Sequence, residues 1–459
     1  MNLSIKEIAT AVGAQNSWQD WAKLTVTDVE FDTRKVGAGS LFVPLQGGAR
    51  DGHEFIQTAI DQGAMVAFWS ETVSERPVDF PVLVVADTLV AFQQLAQYYL
   101  AKCEPKVIGV TGSNGKTTTK DMIASVLGQQ FKTYKTQGNY NNHIGLPYTI
   151  LHMPANTEML VLEMGMDHFG EIEVLSQLAK PDVAAITMIG ESHIEFLGSR
   201  QGIAQAKMEI VAGLNPDGLL VVPGDEPLLA PLLAPLTVDV IKFGQPSTSQ
   251  ISGQLIAETK ATTTFTVAAL GELAVTIPVL GHYNMNNALI ALVIGDYFGI
   301  PLDKMAHGLA TMNLTASRTE WLKAWNGAEI LSDVYNANPT AMGLVLDTFS
   351  QLPTAGNRLV VLADMGELGE QSASLHESMA AHIEATKIKS VYLFGQQMEV
   401  LYRALLPVFG PERVTHFNLA SKSELMAQLR ADLQPTDMLM LKGSNSMKLI
   451  EIVENLIEN

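Results

Sequence analysis

The chain is poor in cysteine, in aromatic residues and in positive charge. Cys103 is the one cysteine among 459 residues, so no disulfide can form within the chain, and such usage suits a reducing compartment. Cys103 itself reads as a small, partly buried filler. Lys and Arg number 29 against 48 Asp and Glu, a formal charge of −19. That balance cannot build an extended basic face, which argues against nucleic acid as a partner. Anionic small molecules are still accessible to a few local cations and backbone N–H groups. No run approaches the roughly 20 apolar residues of a membrane span. The best stretch, Ala288 to Ile300, is interrupted by Asp296 and Gly299 and reads as a buried helix stopped at a glycine before Pro301. The N-terminal residues Met1 to Ile8 lack the basic-then-apolar pattern of a secretory signal. These absences predict a cytoplasmic protein with no membrane span. There is also no fixed-period repeat and no low-complexity tract.

What is present is ordinary globular material, 47% apolar and 7% aromatic, in a length that suits two to four domains at roughly 100–200 residues each. The pattern predicts an α/β protein of three domains. Residues 1–103 carry short strand-like runs (41–45 and 82–85), a helical stretch over 88–100, and a Gly/Asp-rich loop at 47–52. Residues 104–312 alternate strands with helices. The continuous apolar runs 107–110, 159–162, 183–186 and 219–222 suit central strands of a parallel sheet buried on both faces. Within this unit, 251–279 alternates apolar and polar residues around Gly271, which predicts a small antiparallel extension. Residues 313–459 repeat the alternation, with strands at 329–332, 358–363, 390–394, 413–417 and 437–441, a Rossmann-like sheet. No G-x-G-x-x-G follows its first strand, so it does not read as a nicotinamide site.

The strongest chemical signal is the run Thr111-Gly112-Ser113-Asn114-Gly115-Lys116-Thr117-Thr118, between a predicted strand and a predicted helix. A phosphate needs several N–H donors and no intruding side chains. Glycines let the backbone approach, the helix start adds its positive dipole end, and Lys116 adds a mobile charge. The Thr117 hydroxyl can reach Mg²⁺. The strict eight-residue loop would have glycine at position 110, where Val110 stands. Glu163 ends a buried strand at the carboxyl edge of the sheet, where ligands of open α/β sheets collect. A carboxylate there can bind Mg²⁺, and it is equally compatible with a helix cap or a salt bridge. His193 follows the strand at 183–186. Lys207, on spacing alone, is an ordinary helical lysine. Asn284 and Asn287 can read an adenine edge or simply cap a helix. Arg318 has the charge type of a phosphate clamp. Asp333, Tyr335, Asn336 and Asn338 are expected in a polar loop after a strand, with Pro339 opening the next helix.

Taken in order, these segments resemble the Mur ligase superfamily over nearly the whole chain. The resemblance rests on Phe31-Asp32-Thr33-Arg34-Lys35, Arg50-Asp51-Gly52-His53, the loop at 109–120, Gly138 to Pro147, Glu163-Met164-Gly165-Met166 and Gly190-Glu191-Ser192-His193. The most discriminating segment is Asp333-Val334-Tyr335-Asn336-Ala337-Asn338-Pro339, and Lys442-Gly443-Ser444 also fits. It points to the branch that joins D-alanyl-D-alanine to UDP-N-acetylmuramoyl-tripeptide with ATP, as a monomer. The resemblance implies that Lys116 and Thr117 hold ATP phosphate and Mg²⁺. Glu163 and His193 become metal ligands, and Lys207 a carbamylated lysine able to hold a second Mg²⁺. It gives Asn284 and Asn287 to adenine, Arg318 to a phosphate, Asp333 to the ribose, and Asn336 and Asn338 to the nucleotide and the incoming dipeptide. Lys116, Lys207, His193 and Arg318 are the catalytic set. Thr33, Arg34 and the loop at 47–53 would take the UDP end. Ser332, Val334, Asn445 and His143 depart from the common pattern, which bears on substrate preference. A folate-polyglutamylating ligase and a non-catalytic ATP-sensing subunit are the competing readings. The segment 333–339 argues against the first. The intact set Lys116, Glu163, His193 and Lys207 argues against the second.

Overall fold

The computed structural model describes residues 1–48, 50–313, 315 and 319–457. Each of its three larger sheets is a run of apolar strands with helices packed on it. The first sheet is parallel, in the order Asp28–Glu30, Ser40–Phe42, Val66–Ser70, Val82–Val85. Two of those strands, Asp28–Glu30 and Val66–Ser70, were not anticipated. A two-stranded ribbon, Leu3–Ser4 with Thr25–Val26, accompanies this sheet. The helix Thr88–Cys103 buries Ala91, Phe92, Leu95, Ala96 and Tyr99 along one face, the i, i+3, i+4 spacing of an amphipathic helix.

The central sheet has six parallel strands, ordered Asp239–Phe243, Leu219–Pro223, Val183–Ile186, Lys106–Thr111, Met159–Glu163, Thr133–Lys135. The four strands expected from apolar runs occupy its middle. The two edge strands are more polar, which is why their sequences gave no comparable signal. Lys106–Thr111 and its neighbours Met159–Glu163 and Val183–Ile186 are buried almost throughout, as a sheet covered on both faces requires. Helix Lys116–Leu127 packs against helix His282–Tyr297. The expected antiparallel extension is present as Gln254–Glu258, Thr263–Val267 and Gly271–Ile277.

The last sheet is mixed. Its order is Glu320–Lys323, Glu329–Asp333, Met438–Lys442, Arg358–Ala363, Ser390–Phe394, Val414–Phe417. All neighbours are parallel except the edge strand Glu320–Lys323, which runs antiparallel to Glu329–Asp333. Asp333 is the final residue of its strand, not a loop residue, and stands beside Lys442 in the parallel register. No described helix is long and apolar enough to cross a membrane.

Candidate functional site

The strand Lys106–Thr111 delivers the glycine loop to the sheet edge. Thr111 is buried, with its hydroxyl on the Met164 carbonyl (2.8 Å). Two glycines are required by geometry. Gly112 has φ +147°, and a Cβ there would lie 1.9 Å from Thr187 Oγ1; Gly115 has φ +79°, and a Cβ would lie 2.6 Å from Asn287 Oδ1. Gly115 then caps the helix Lys116–Leu127, whose free N–H groups and dipole favour an anion. Lys116 Nζ folds back on the carbonyls of Gly112 (2.8 Å) and Ser113 (3.4 Å). The loop is pinned from the next strand over: Ser113 N–H donates to the Met188 carbonyl, and Gly190 N–H to Ser113 Oγ.

Glu163 ends its strand beside Val110, 2% exposed. One carboxylate oxygen accepts the Thr117 hydroxyl (2.9 Å) and the other the Asn141 amide (2.9 Å). Asn141 lies in the segment 138–147, so that segment's asparagine orients the acid. After Glu163 the chain turns through Asp167. Glu171 accepts the N–H groups of Asp167 and His168, and Glu209 accepts those of Gly170 and Glu173 at the start of the next helix. Burial pushes the Glu209 carboxyl up.

Lys207 lies on the helix Arg200–Met208, as its spacing suggested, but is 1% exposed, a burial that spacing alone does not give. Burial, then the nearby Lys116 charge, hold its amine well below the usual lysine range, against the opposing pull of Asp167, Glu209 and Glu171. His193 adopts a left-handed backbone (φ +63°). Its Nδ1 is 2.5 Å from Glu367 Oε2 and 3.4 Å from Asp167 Oδ1, close approaches without hydrogen-bond alignment. The contact with His193 lowers the Glu367 carboxyl. Asp167 approaches His193 and its charge acts on Lys207, a position that sequence reasoning missed although an acid two residues past Gly165 was a visible signal.

The last sheet closes on this edge. Asn338 caps helix Pro339–Gln351 through its Oδ1, while its Nδ2 donates to Asn114 Oδ1 (2.5 Å) and Ser192 Oγ (2.6 Å). Thr340 donates to Glu191 through its hydroxyl (2.7 Å) and its N–H (3.1 Å). Glu195 N–H reaches the Glu367 carbonyl. Between the two sheets lies a cavity of about 530 Å³ that brings together Asn114, Gly115, Thr118, Asn284, Asn287, Asp333 and Asn336, with Tyr335 on its wall. Asn287 donates to Asn284, which donates to the Leu280 carbonyl. Lys442, 3% exposed, joins Asp333 Oδ2 (2.5 Å) and the Asn336 carbonyl (3.1 Å). Arg318 lies outside the described residues. At the far end, Arg34 is largely exposed and held by Asp32 (2.6 Å), and Lys35 reaches the Tyr140 hydroxyl (2.8 Å).

The fold and this edge define a nucleotide-binding α/β protein whose phosphate loop is covered by a second sheet. The chain belongs to the Mur ligase family. Residues 110–295 match the Mur ligase middle domain, 317–445 the Mur ligase glutamate ligase domain, and 25–100 the Mur ligase family catalytic domain. It is 42% identical over 456 residues to the UDP-N-acetylmuramoyl-tripeptide–D-alanyl-D-alanine ligase of Bacillus subtilis, covering 99% of this chain and 98% of that one. Against the same-named ligase of Escherichia coli it is 32% identical, over 95% of each. Among solved structures, MurF from Acinetobacter baumannii superposes with a TM-score of 0.89 at 28% identity, covering 100% of this chain and 99% of that one. MurF from Thermotoga maritima in complex with ADP gives 0.81 at 25% identity, over 94% and 97%.

Proposed function

We propose that this chain uses ATP to join D-alanyl-D-alanine to the terminal carboxylate of UDP-N-acetylmuramoyl-tripeptide, making the pentapeptide precursor of peptidoglycan in the cytoplasm. The observation that carries the reading is the bridge from Asn338, in the segment 333–339, to Asn114 of the phosphate loop. That bond joins the segment that singles out this branch of the family to the glycine loop, which supports a nucleotide phosphate being held between them. The reading divides the chain at about 103 and 312, supported by the separate sheets on either side of each point, and takes it as a monomer.

In this scheme the γ-phosphoryl group passes to an oxygen of the tripeptide carboxylate and ADP is left. The dipeptide amine then attacks the acyl carbon; the C–N bond forms, the C–O bond to phosphate breaks, and the amine sheds a proton. The protein's work is positioning and charge neutralisation. Loop N–H groups and Lys116 hold the phosphates, with Arg318 as a further clamp. Asn284 and Asn287 face adenine, and Asp333, held by Lys442, faces the ribose. Asn336 and Asn338 lie toward the nucleotide and dipeptide. Thr33, Arg34 and the loop at 47–53 take the UDP end, a role that suits the exposed guanidinium of Arg34.

The donor set fits Mg²⁺. Thr117 Oγ1 and Glu163 Oε2 are adjacent oxygens, the ligand type that Mg²⁺ prefers. His193 offers nitrogen, a poorer donor, and Lys207 fits a second Mg²⁺ only as a carbamate. Its lowered pKa favours that chemistry, because the neutral amine is the form that adds CO₂, with an N–C bond formed and one proton lost. Mg²⁺ held by Thr117, Glu163, His193 and the carbamate of Lys207 would neutralise phosphate charge as it moves. The test is phosphate release by the purified chain with Mg²⁺, bicarbonate, ATP and the diaminopimelate or lysine tripeptide. Release that depends on D-alanyl-D-alanine is expected. No dependence with either tripeptide overturns the reading.

A further inference from the structure

Between the first sheet and the central one lies a cluster of charged groups that the ligation does not use. Asp28 and Glu30 are alternate residues of one strand, so both side chains leave the same face. His152 ends the helix Gly145–His152, with its Nε2 3.2 Å from Asp28 Oδ1 and 3.6 Å from Glu30 Oε1. One ligand atom from each of the three lies within 4.8 Å of the others.

Each member is steadied by a neighbour. Ser40 Oγ donates to Asp28 Oδ2 (3.3 Å) and the Tyr148 hydroxyl to Glu30 Oε1 (2.9 Å). His152 Nδ1 is 2.8 Å from the Tyr148 carbonyl. Only a protonated Nδ1 can bond a carbonyl, so the neutral ring carries its lone pair on Nε2, as in metal-bound histidines. The centre of the cluster, by contrast, is unsatisfied. Glu30 is 5% exposed, and its Oε2 is buried without a hydrogen-bond partner, an arrangement native proteins rarely leave unexplained. His152 Nε2 is also buried and meets Asp28 and Glu30 only as ion-pair approaches without hydrogen-bond alignment. Ligands about 2.0–2.2 Å from a Zn²⁺ ion lie about 3.3–3.6 Å from one another in a tetrahedron, and the observed separations of 3.2 Å and 3.6 Å fall just below and at the top of that range.

We propose that Asp28, Glu30 and His152 bind one divalent transition-metal ion of zinc type, which fastens the first sheet to the central unit. Two carboxylates match its charge, and the imidazole selects it over Mg²⁺. The rival is a buried imidazolium. Without metal, burial opposes protonation of His152, but Asp28, Glu30 and the Tyr148 carbonyl outweigh it and push the ring up to about 9.

The experiment uses the full chain, stripped with chelator and kept in saturating Mg²⁺, titrated with Zn²⁺ by calorimetry and with Co²⁺ by its visible absorption. One ion per chain is expected, with a raised melting temperature. His152→Gln and Glu30→Gln should each weaken binding about tenfold or more, while Glu163→Gln, at the end of the strand Met159–Glu163, leaves it unchanged. Binding that survives His152→Gln, or is lost in Glu163→Gln, overturns the proposal. The wild-type chain also decides alone: no bound ion, with His152 still an imidazolium by NMR in excess Zn²⁺, leaves the ion pair as the answer.

Discussion

Replacing Lys207 with methionine separates what burial does to the stability of this side chain from what it does for the reaction. Lysine and methionine are both unbranched and similar in length, so the helix Arg200–Met208 can keep its packing. In the folded chain the Lys207 amine titrates well below its ordinary value, first because it is buried and then because Lys116 is near. Between that lowered pKa and the ordinary value near 10.4, the unfolded chain binds one proton more than the folded chain. Stability therefore rises with pH across that window, by about 1.4 kcal/mol per pH unit from this group, and falls as pH drops toward the folded pKa. Methionine removes the slope. In CO₂-free, Mg²⁺-free buffer near neutral pH, Lys207→Met should be more stable than the parent by about 1.4 kcal/mol for each pH unit between roughly 10.4 and the higher of the buffer pH and the folded pKa. The difference should shrink as pH rises. Ligation should nevertheless fall about 10²-fold or more, as when one group that stabilises developing charge is removed. Urea unfolding between about pH 6 and 9 reads the slope, and phosphate release reads the rate. A variant less stable than the parent, with its pH slope unchanged, refutes the reasoning: the amine would then be charged and paired in the fold, with no neutral form to take CO₂.

Gly115→Ala forces a left-handed φ on a side chain that meets Asn287 Oδ1 at 2.6 Å; we expect a loss of about 1–3 kcal/mol in calorimetry and weaker ATP binding in titration. Lys442→Met leaves Asp333 facing the cavity without its partner and should cost about 3–5 kcal/mol, much of it recovered in the double variant with Asp333→Asn; no recovery would mean that the pair is not the cause. Thr315→Val removes the hydroxyl donor to Asp121 Oδ2 (2.9 Å) and should cost about 1.5–3 kcal/mol in urea unfolding, the worth of a bond to a charged group.

The phosphate loop was legible because its requirements are local: strand, glycines, lysine and helix follow one another within a dozen residues. Glu163 was legible as a position, at the end of an apolar run, but its hydrogen bonds from Thr117 and Asn141 were not. Lys207 was not legible, since burial comes from elements that fold over it from elsewhere. The same holds for Asp333, whose partner Lys442 lies 109 positions away, and for Asp121, which holds a backbone N–H 194 positions on. The strand Asp28–Glu30 has three residues, too few for an alternation to declare itself. Glu320–Lys323 is a half-exposed edge strand, so it carries no continuous apolar run.

Helix Lys116–Leu127 explains how binding at the loop can be felt by the last sheet. Its first turn presents Lys116 and Thr117 to the phosphate site. Its second turn carries Lys120 and Asp121, both 1% exposed. Lys120 Nζ donates to the Thr136 carbonyl (2.9 Å), and Thr136 Oγ1 in turn accepts the Glu163 N–H (3.0 Å), so the lysine supports the strand end that carries the acid. Burial lowers the Lys120 amine against the pull of Asp121. Asp121 is held by Lys135 (2.7 Å) and Lys120 (3.3 Å) and grips Thr315 through both its N–H and its hydroxyl. Thr315 lies where the chain leaves the central unit for the last sheet. Two turns of one helix thus touch the glycine loop, the strand end at Glu163 and the departing chain. The contacts that close the last sheet over the loop, from Asn338, Thr340 and Glu195, are hydrogen bonds, each worth about 0.5–1.5 kcal/mol net and more where Glu191 carries charge. A handful of such bonds holds the closed arrangement and still lets nucleotide binding or product release tip it, which a ligase that must admit three substrates requires.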